Sequence, residues 1–288
     1  MQGISQTTTA TNYGQEQSGH KTSIPMSPDL PDGPFLRWPD WNYSKYILTK
    51  THCGGYCVKC SPSRYVLNAE SFKDACRTGN KLVNRKSITT TKAYPASLPK
   101  KAVHVIRNPF DNLVARLHHQ RKSWERQESK REHLKLFDSS EEGFRKWCSY
   151  VDYSSAPSSM SDLKKFDNTT ISLFEETPCA AEVYRWTQFH NLAVEVTDNR
   201  LQIPVQYIFY ENYANKFNET VTQLLDYLEL SAVSTPPPFI KGKEYPEYFS
   251  DEDRYNVAKL VRHIATKKTW PLLKHYFDGL LDDTETKK

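Results

Sequence analysis

Residues 102–116 (AVHVIRNPFDNLVAR) form the segment whose residue types say most about chemistry. A run rich in β-branched residues ends at Ile106, Asn108 suits a helix N-cap, and Pro109 suits the first helical position. The pattern predicts a strand that leads directly into a helix. Arg107 then lies at the carboxyl end of the strand, where open α/β sheets bind ligands, beside free helix N–H groups. A guanidinium there can bind a phosphate bidentately, whereas many arginines form only surface salt bridges.

Residues 45–53 (KYILTKTHC) contain two more candidates. Lys50 and His52 are two residues apart at the end of a predicted strand, so they point to one side if the chain stays extended. A histidine, with an ordinary pKa of about 6.5, can act as a general base, and a lysine can neutralise developing negative charge. A histidine at a strand end is also commonly structural, so the residues alone leave both roles open.

Both segments resemble motifs of the sulfotransferase family that uses PAPS (3'-phosphoadenosine 5'-phosphosulfate). In the R-N-P-x-D motif of that family, the Arg and a Ser eight residues later hold the 3'-phosphate, and the matching positions here are Arg107 and Ala115. Lys50-Thr51-His52 is similar to the family's K-T-H motif, whose His takes the proton from the acceptor hydroxyl. The resemblance therefore implies that Arg107 clamps a phosphate, His52 is the general base, and Lys50 contacts the substrate or the sulfuryl group.

A looser match lies in a helix that we predict over residues 178–196. Its tripeptide Tyr184-Arg185-Trp186 resembles the aromatic helix that places a ring against the adenine, which implies that Tyr184 or Trp186 stacks on the base. The same rings can equally belong to the core of the protein, because amphipathic helices commonly bury aromatic side chains.

A second loose match is the basic run Lys241-Gly242-Lys243, which resembles the late loop that closes over PAPS. It implies that Lys241 and Gly242 contact the nucleotide. The resemblance extends from about residue 45 to residue 278, with its pieces in the family's order.

The phosphate-cradling loop of the family is the main departure. Such enzymes begin with a strand, a Gly- or Ser-bearing loop and a helix upstream of the K-T-H strand, and here only a polar segment precedes Lys45. No G-x-x-x-x-G-K-[ST] pattern occurs in the sequence. We expect either a truncated enzyme or a relic that binds nucleotide or glycan without turnover, and Ala115 favours the relic.

Three short runs predict strands, namely residues 45–50, 102–106 and 205–209. The segments between and after them have helical patterns, clearest in an amphipathic helix over residues 213–230, and the composition of residues 154–162 (SSAPSSMSD) predicts a loop. This alternation predicts an α/β protein with a mostly parallel sheet covered on both faces. The resemblance implies a three-layer P-loop-like sandwich with that sheet at its centre. We expect one domain over residues 35–280, between a flexible polar tail at 1–34 and a charged tail at 281–288.

Composition restricts the partners. The chain has 39 Lys and Arg against 34 Asp and Glu, a net charge of +5, which lacks the strong positive charge of a dedicated nucleic-acid binder. No run approaches the roughly 18 apolar residues of a membrane-spanning helix. We therefore expect no nucleic acid, contact with a membrane only through an N-terminal anchor missing from this sequence, and a hydroxyl-bearing acceptor that is a glycan or a protein.

Six cysteines and sequons at Asn42, Asn168 and Asn218 suit a secretory compartment, so the expected location is the Golgi lumen, with the cytoplasm as the alternative. The spacing of residues 52–60 (HCGGYCVKC), with Cys76, would suit either a zinc ion or disulfides. Because sulfuryl transfer needs alignment and charge neutralisation rather than a metal, we expect PAPS as co-substrate and no metal site.

Overall fold

The structure, a computed structural model, describes residues 7–10, 46–49, 53, 60–83, 86–93, 96–97, 99–157, 159–232, 239 and 245–281. The chain divides into two compact units. Unit 1 comprises Met1–Tyr56, Asn68–Val105 and Glu195–Lys241, and unit 2 comprises Cys57–Leu67, Ile106–Val194 and Gly242–Lys288.

Unit 1 contains the strands of the described chain and several helices. The strands are β1 (Thr7–Ala10), β2 (Tyr46–Thr49), β3 (Thr78–Val83), β4 (Lys86–Ala93), β5 (Ala102–Ile106, whose last residue opens a segment of unit 2) and β6 (Val205–Phe209). The helices of unit 1 are α2 (Ala69–Arg77), a π-helical turn at Val196–Leu201, α9 (Asn212–Asn215) and α10 (Phe217–Leu228).

Three two-stranded sheets are present among the described residues. β1 and β2 pair in parallel, with Thr7 opposite Tyr46 and Ala10 opposite Thr49. β1 lies in the segment for which composition predicts a polar tail, and its three consecutive threonines favour an extended backbone. β3 and β4 form an antiparallel hairpin that we did not predict, and β5 pairs with β6.

β5 and β6 confirm two of the predicted strands. The side chains of β5 alternate, with His104 and Ile106 buried and Val103 and Val105 exposed. Burial lowers the pKa of His104 to about 4, so its imidazole is neutral at physiological pH. The Tyr227 hydroxyl, on α10, donates to the carbonyl oxygen of Pro204 at 2.6 Å and to that of Ala102 at 3.0 Å. Pro204 immediately precedes β6, and Ala102 is the first residue of β5. These hydrogen bonds attach the predicted amphipathic helix to the sheet.

Unit 2 is helical. Its helices are α1 (Pro62–Tyr65), α3 (Pro109–Trp124), α4 (Arg131–Leu136), α5 (Glu141–Ser155), α6 (Met160–Leu163), α7 (Asn168–Glu176), α8 (Ala180–Glu195), α11 (Asp251–Ile264) and α12 (Trp270–Leu273). Short 3-10 turns occupy Glu128–Lys130, Pro246–Tyr248 and Lys274–Phe277. Their core side chains recur three and four residues apart, as in amphipathic helices, and include Leu113, Val114, Leu117, Phe144, Trp147, Val151, Val257, Leu260 and Val261.

Local capping explains where the helices of unit 2 begin. The Ser140 side chain accepts the Gly143 N–H at 3.0 Å at the start of α5, and a capping box between Ser250 and Asp253 starts α11. An added Cβ at Gly143 would lie only 2.5 Å from the carbonyl oxygen of Asp138, so the close approach of these two chain segments requires glycine.

The coarse prediction of an α/β protein agrees with the described elements, which are mostly helical with short strands. The predicted helix at 178–196 is α8, and the predicted helix at 213–230 is divided into α9 and α10. Serine-rich composition predicted a loop at 154–162, but α5 and α6 enter it from both ends because Ser159 caps α6. No helix among the described residues has the length and apolar character to cross a membrane.

Candidate functional site

Arg107 lies at the junction of β5 and α3 that the sequence predicts. β5 ends at Ile106, and the Asn108 side chain caps α3 by accepting the N–H groups of Phe110 at 2.9 Å and Asp111 at 3.4 Å. The Arg107 side chain is partly exposed. The strand and the cap therefore hold a guanidinium group beside the N-terminal turn of a 16-residue helix.

One face of α3 meets the chain segment that contains Tyr245. Asp111, Ala115 and His118 lie on this face because they are separated by four and three residues. The Tyr245 N–H donates to Asp111 Oδ1 at 3.0 Å, and the Tyr245 ring lies 5.3 Å from the His118 ring, centroid to centroid. Ala115, at the position of the family's phosphate-binding Ser, is between these two contact points along the helix.

The Tyr245 hydroxyl interacts electrostatically with Arg107. Burial raises the pKa of the Tyr245 hydroxyl, the Arg107 charge lowers it, and the charges of Asp111 and Glu247 raise it further. The pKa therefore responds to a cation at the end of β5 and to carboxylates on both chain segments. Arg107 and Tyr245 consequently belong to one electrostatic cluster.

A second arginine lies beside the first turn of α3. The Arg254 guanidinium, on α11, is 5.0 Å from the centroid of the Phe110 ring. Phe110 is enclosed by Phe249 and Phe277, with ring centroids 5.0 and 6.0 Å away. These contacts hold α3 against the C-terminal helices and add positive charge where an anion would approach the helix N-terminus.

Tyr184 occupies the core of unit 2. It is 5% exposed and belongs to a buried cluster with Tyr65 and Phe166, whose ring centroids are 6.0 and 5.3 Å away. The Gln188 side chain donates to its hydroxyl at 3.0 Å. Stacking on an adenine would require one of these rings to move, so the role of Tyr184 at the nucleotide stays a prediction.

The neighbouring Arg185 belongs to a buried ionic network. Its side chain is 7% exposed, binds Glu182 at 2.6 Å and Ser155 Oγ at 2.8 Å, and lies 4.6 Å from the centre of the Tyr65 ring. Glu182 also binds Arg116 at 2.5 Å, from the side of α3 that faces α8. Each charge in this network has an ionic partner, as burial requires.

An acidic residue of α5 binds the N-terminus of α8 next to this network. Asp152 Oδ1 accepts the Ala181 N–H at 3.0 Å. Burial raises the pKa of the Asp152 carboxyl to about 7, although the N–H groups of Ala181 and Ala180 lower it. The Cys148–Cys179 disulfide joins the same two helices, so a covalent bond and a buried carboxyl fix the start of α8.

The described cysteines are in disulfides. Cys53 is bonded to Cys76, Cys148 to Cys179, and Cys60 is also disulfide-bonded. Among the described residues, no group of three or more His, Cys, Asp or Glu side chains could hold a metal ion. Of the two interpretations of the cysteine spacing, disulfides therefore apply to Cys53, Cys60 and Cys76, whose sulfurs are not available as zinc thiolates.

Four predicted site residues, Lys50, His52, Lys241 and Gly242, lie outside the described residues. Lys50 follows the last residue of β2. The structure thus brings Arg107 together with Tyr245, which our sequence reasoning missed. In the sequence, Tyr245 precedes a proline and follows the basic run at residues 241–243. This is a weak signal for a binding residue, because no local pattern shows which distant helix the tyrosine contacts.

Comparisons with protein-family models, with curated proteins and with solved structures found no match to this chain.

Proposed function

We propose that this protein is a sulfotransferase that moves a sulfuryl group from PAPS to a hydroxyl acceptor, with Arg107 binding the 3'-phosphate. The observation that carries the proposal is the position of Arg107, directly between the end of β5 and the N-cap of α3. The Asn108 side chain occupies the Phe110 and Asp111 N–H groups, so the support comes from a guanidinium at the positive end of the helix dipole, which favours a phosphate group.

In the proposed reaction the acceptor hydroxyl oxygen attacks the sulfur of PAPS. A sulfur–oxygen bond forms to the acceptor while the sulfur–oxygen bond to the 5'-phosphate breaks, and adenosine 3',5'-bisphosphate leaves. His52 receives the acceptor proton, and Lys50 neutralises charge on the transferred group. Lys241, Gly242 and Tyr184 are proposed nucleotide contacts. The step needs no redox partner.

The proposed architecture is a three-layer P-loop-like sandwich with a central, mostly parallel sheet. Support comes from the parallel pairing of β1 with β2 and from the direct β5 to α3 connection. Parallel strands with helical connections bring strand ends to one edge, where ligands bind in such folds.

We propose a glycan or protein acceptor and residence in the Golgi lumen. Disulfides such as Cys148–Cys179 persist in oxidising compartments, and the sequon asparagines Asn168 and Asn218 are both exposed. Digestion of the protein from its natural source with a peptide N-glycosidase should increase its electrophoretic mobility. An unchanged mobility, together with free thiols at Cys148 and Cys179, would favour the cytoplasm.

The second candidate function is nucleotide or glycan binding without turnover. Ala115 favours it, because the position that bears a hydroxyl in the family motif has none here. This candidate shares the Arg107 site with the first and differs only in chemistry, so one experiment can separate the two.

Calorimetric titration with adenosine 3',5'-bisphosphate tests the site. Arg107→Ala should weaken binding by about tenfold or more, because a hydrogen-bonded charge is lost. Arg126→Ala, an exposed arginine near the end of α3, is the matched control and should bind as the unmodified chain does. Equal binding by Arg107→Ala, or none by the folded unmodified chain, would contradict the proposal.

Turnover separates the two candidates. Incubation with labelled PAPS and a panel of glycan and protein acceptors should transfer label to a hydroxyl, and His52→Ala should abolish transfer with little change in nucleotide affinity. Nucleotide binding without transfer to any acceptor would support the relic.

A further inference from the structure

The α3 face beside Arg107 contacts a tyrosine that belongs to another chain segment. Position 115, where the family motif has Ser, is alanine and is partly exposed. Tyr245 contacts the same face on both sides of that position, through its N–H to Asp111 at 3.0 Å and through its ring to His118 at 5.3 Å. A tyrosine from another chain segment therefore packs against the α3 face on which the serine hydroxyl of the family motif is missing.

Two independent contacts hold this tyrosine in place. The backbone hydrogen bond to Asp111 fixes its main chain against the first turn of α3. Its ring also packs edge-on against the Tyr248 ring, with centroids 5.5 Å apart. The Tyr248 hydroxyl donates to the carbonyl oxygen of Ser139, so Tyr248 anchors the segment that contains Tyr245.

The charged groups that act on the phenol are the Arg107 guanidinium and the carboxylates of Asp111 and Glu247. Arg107 interacts electrostatically with the Tyr245 hydroxyl, and Arg254 adds a second guanidinium at the first turn of α3. The carboxylate of Asp111, the acidic group on this face, accepts the Tyr245 N–H. A tyrosine hydroxyl is a donor at neutral pH, as a phosphate oxygen requires.

We propose that the Tyr245 hydroxyl donates a hydrogen bond to the phosphate that Arg107 binds, and so replaces the hydroxyl that Ala115 lacks. This inference rests on the proposed function, because it assigns one more ligand to the same phosphate. It makes Tyr245 a binding residue with specificity for the 3'-phosphate, supplied by the segment that follows the basic run at residues 241–243.

The test compares Tyr245→Phe with Tyr153→Phe by calorimetric titration of adenosine 3',5'-bisphosphate and of adenosine 5'-phosphate. Tyr245→Phe should bind the bisphosphate about tenfold more weakly, because a hydrogen bond to a charged group is lost. Its affinity for the monophosphate, which has no 3'-phosphate, should not change. Tyr153→Phe removes the hydroxyl of an exposed tyrosine on α5 and should leave both affinities unchanged.

Rescue makes the test specific. Adding Ala115→Ser to Tyr245→Phe should restore most of the tenfold loss, because it returns a hydroxyl to the same face. Unchanged bisphosphate affinity in Tyr245→Phe, while Arg107→Ala loses binding, would overturn this inference and leave the proposed function intact. Failure of the unmodified folded chain to bind the bisphosphate would instead overturn both.

Discussion

Arg107 and Arg185 each lie in a short motif that the sequence singles out, but their surroundings in unit 2 differ. Arg185 is 7% exposed and has an ionic partner in Glu182, a hydroxyl partner in Ser155 and an aromatic one in Tyr65. Arg107 is partly exposed at a strand end beside a helix N-terminus. A buried charge must be neutralised by the protein itself, whereas a partly exposed one can exchange its contacts for a ligand. Burial, more than the motif, separates a stabilising arginine from a binding one.

The largest expected effect is the stability loss in Arg185→Ala, for which Arg107→Ala is the comparison. Arg185→Ala should lower the free energy of unfolding by about 3 to 5 kcal/mol, because it breaks a buried ion pair. Arg107→Ala should lower it by about 1 kcal/mol or less, because its side chain is only partly buried. Urea unfolding followed by tryptophan fluorescence measures both. Similar losses for the two variants would remove the distinction between them.

The next effect concerns the covalent bond next to the Arg185 network. Replacing Cys148 and Cys179 together by alanine should cost about 2 to 4 kcal/mol and accelerate amide exchange in the first turns of α8. Replacing Cys53 and Cys76 in unit 1 is the matched control, which should leave exchange in α8 unchanged. Slow exchange in α8 without its disulfide would show that the ionic network alone holds this helix.

The free energy of unfolding should depend on pH through Asp152, which lies beside the Arg185 network. The folded-state pKa of Asp152, about 7, lies above its ordinary value of 3.8, so the folded protein binds this proton more tightly than the unfolded chain. The free energy of unfolding should therefore increase as pH falls from about 7 towards 4, by about 1 to 3 kcal/mol, and this contribution is lost above pH 7. Asp152→Asn should abolish that part of the dependence. If the free energy of unfolding of Asp152→Asn changed with pH as steeply as that of the unmodified chain, the dependence would belong to other groups.

The smallest expected effect is in the Arg107 region. Asp111→Ala removes the acceptor of the Tyr245 N–H and should cost about 1 kcal/mol of stability. It should also accelerate amide exchange at Tyr245 without affecting Ala181, whose N–H binds Asp152. Hydrogen exchange with mass spectrometry resolves the two segments. Unaltered exchange at Tyr245 would mean that its ring contacts alone hold the segment.

Local patterns predicted much of the fold. Asn108, Pro109 and the β-branched run before them predicted the β5 to α3 junction, because capping and strand propensity depend on neighbours in sequence. The β3–β4 hairpin was missed, although the run KSITTTKA at residues 86–93 has strand propensity. The loop expected at 154–162 was shorter because serine favours helix caps as well as loops.

The candidate site was predicted in part. The position of Arg107 followed from sequence, but its neighbour Tyr245 is 138 residues away (245 − 107 = 138), and no pattern specified that contact. Nor could sequence show that Arg185 and Tyr184 are buried, since an aromatic helix face can meet either a ligand or a core.

The sequence by itself determined the local elements of this protein, including the strand and cap that hold Arg107, because those depend on dihedral preferences and hydrogen bonds between residues close in the chain. Only the tertiary structure decided which charges are buried, which cysteines are joined and which tyrosine approaches Arg107. Those outcomes depend on desolvation and packing between segments far apart in sequence, and both are properties of the assembled core rather than of any one motif.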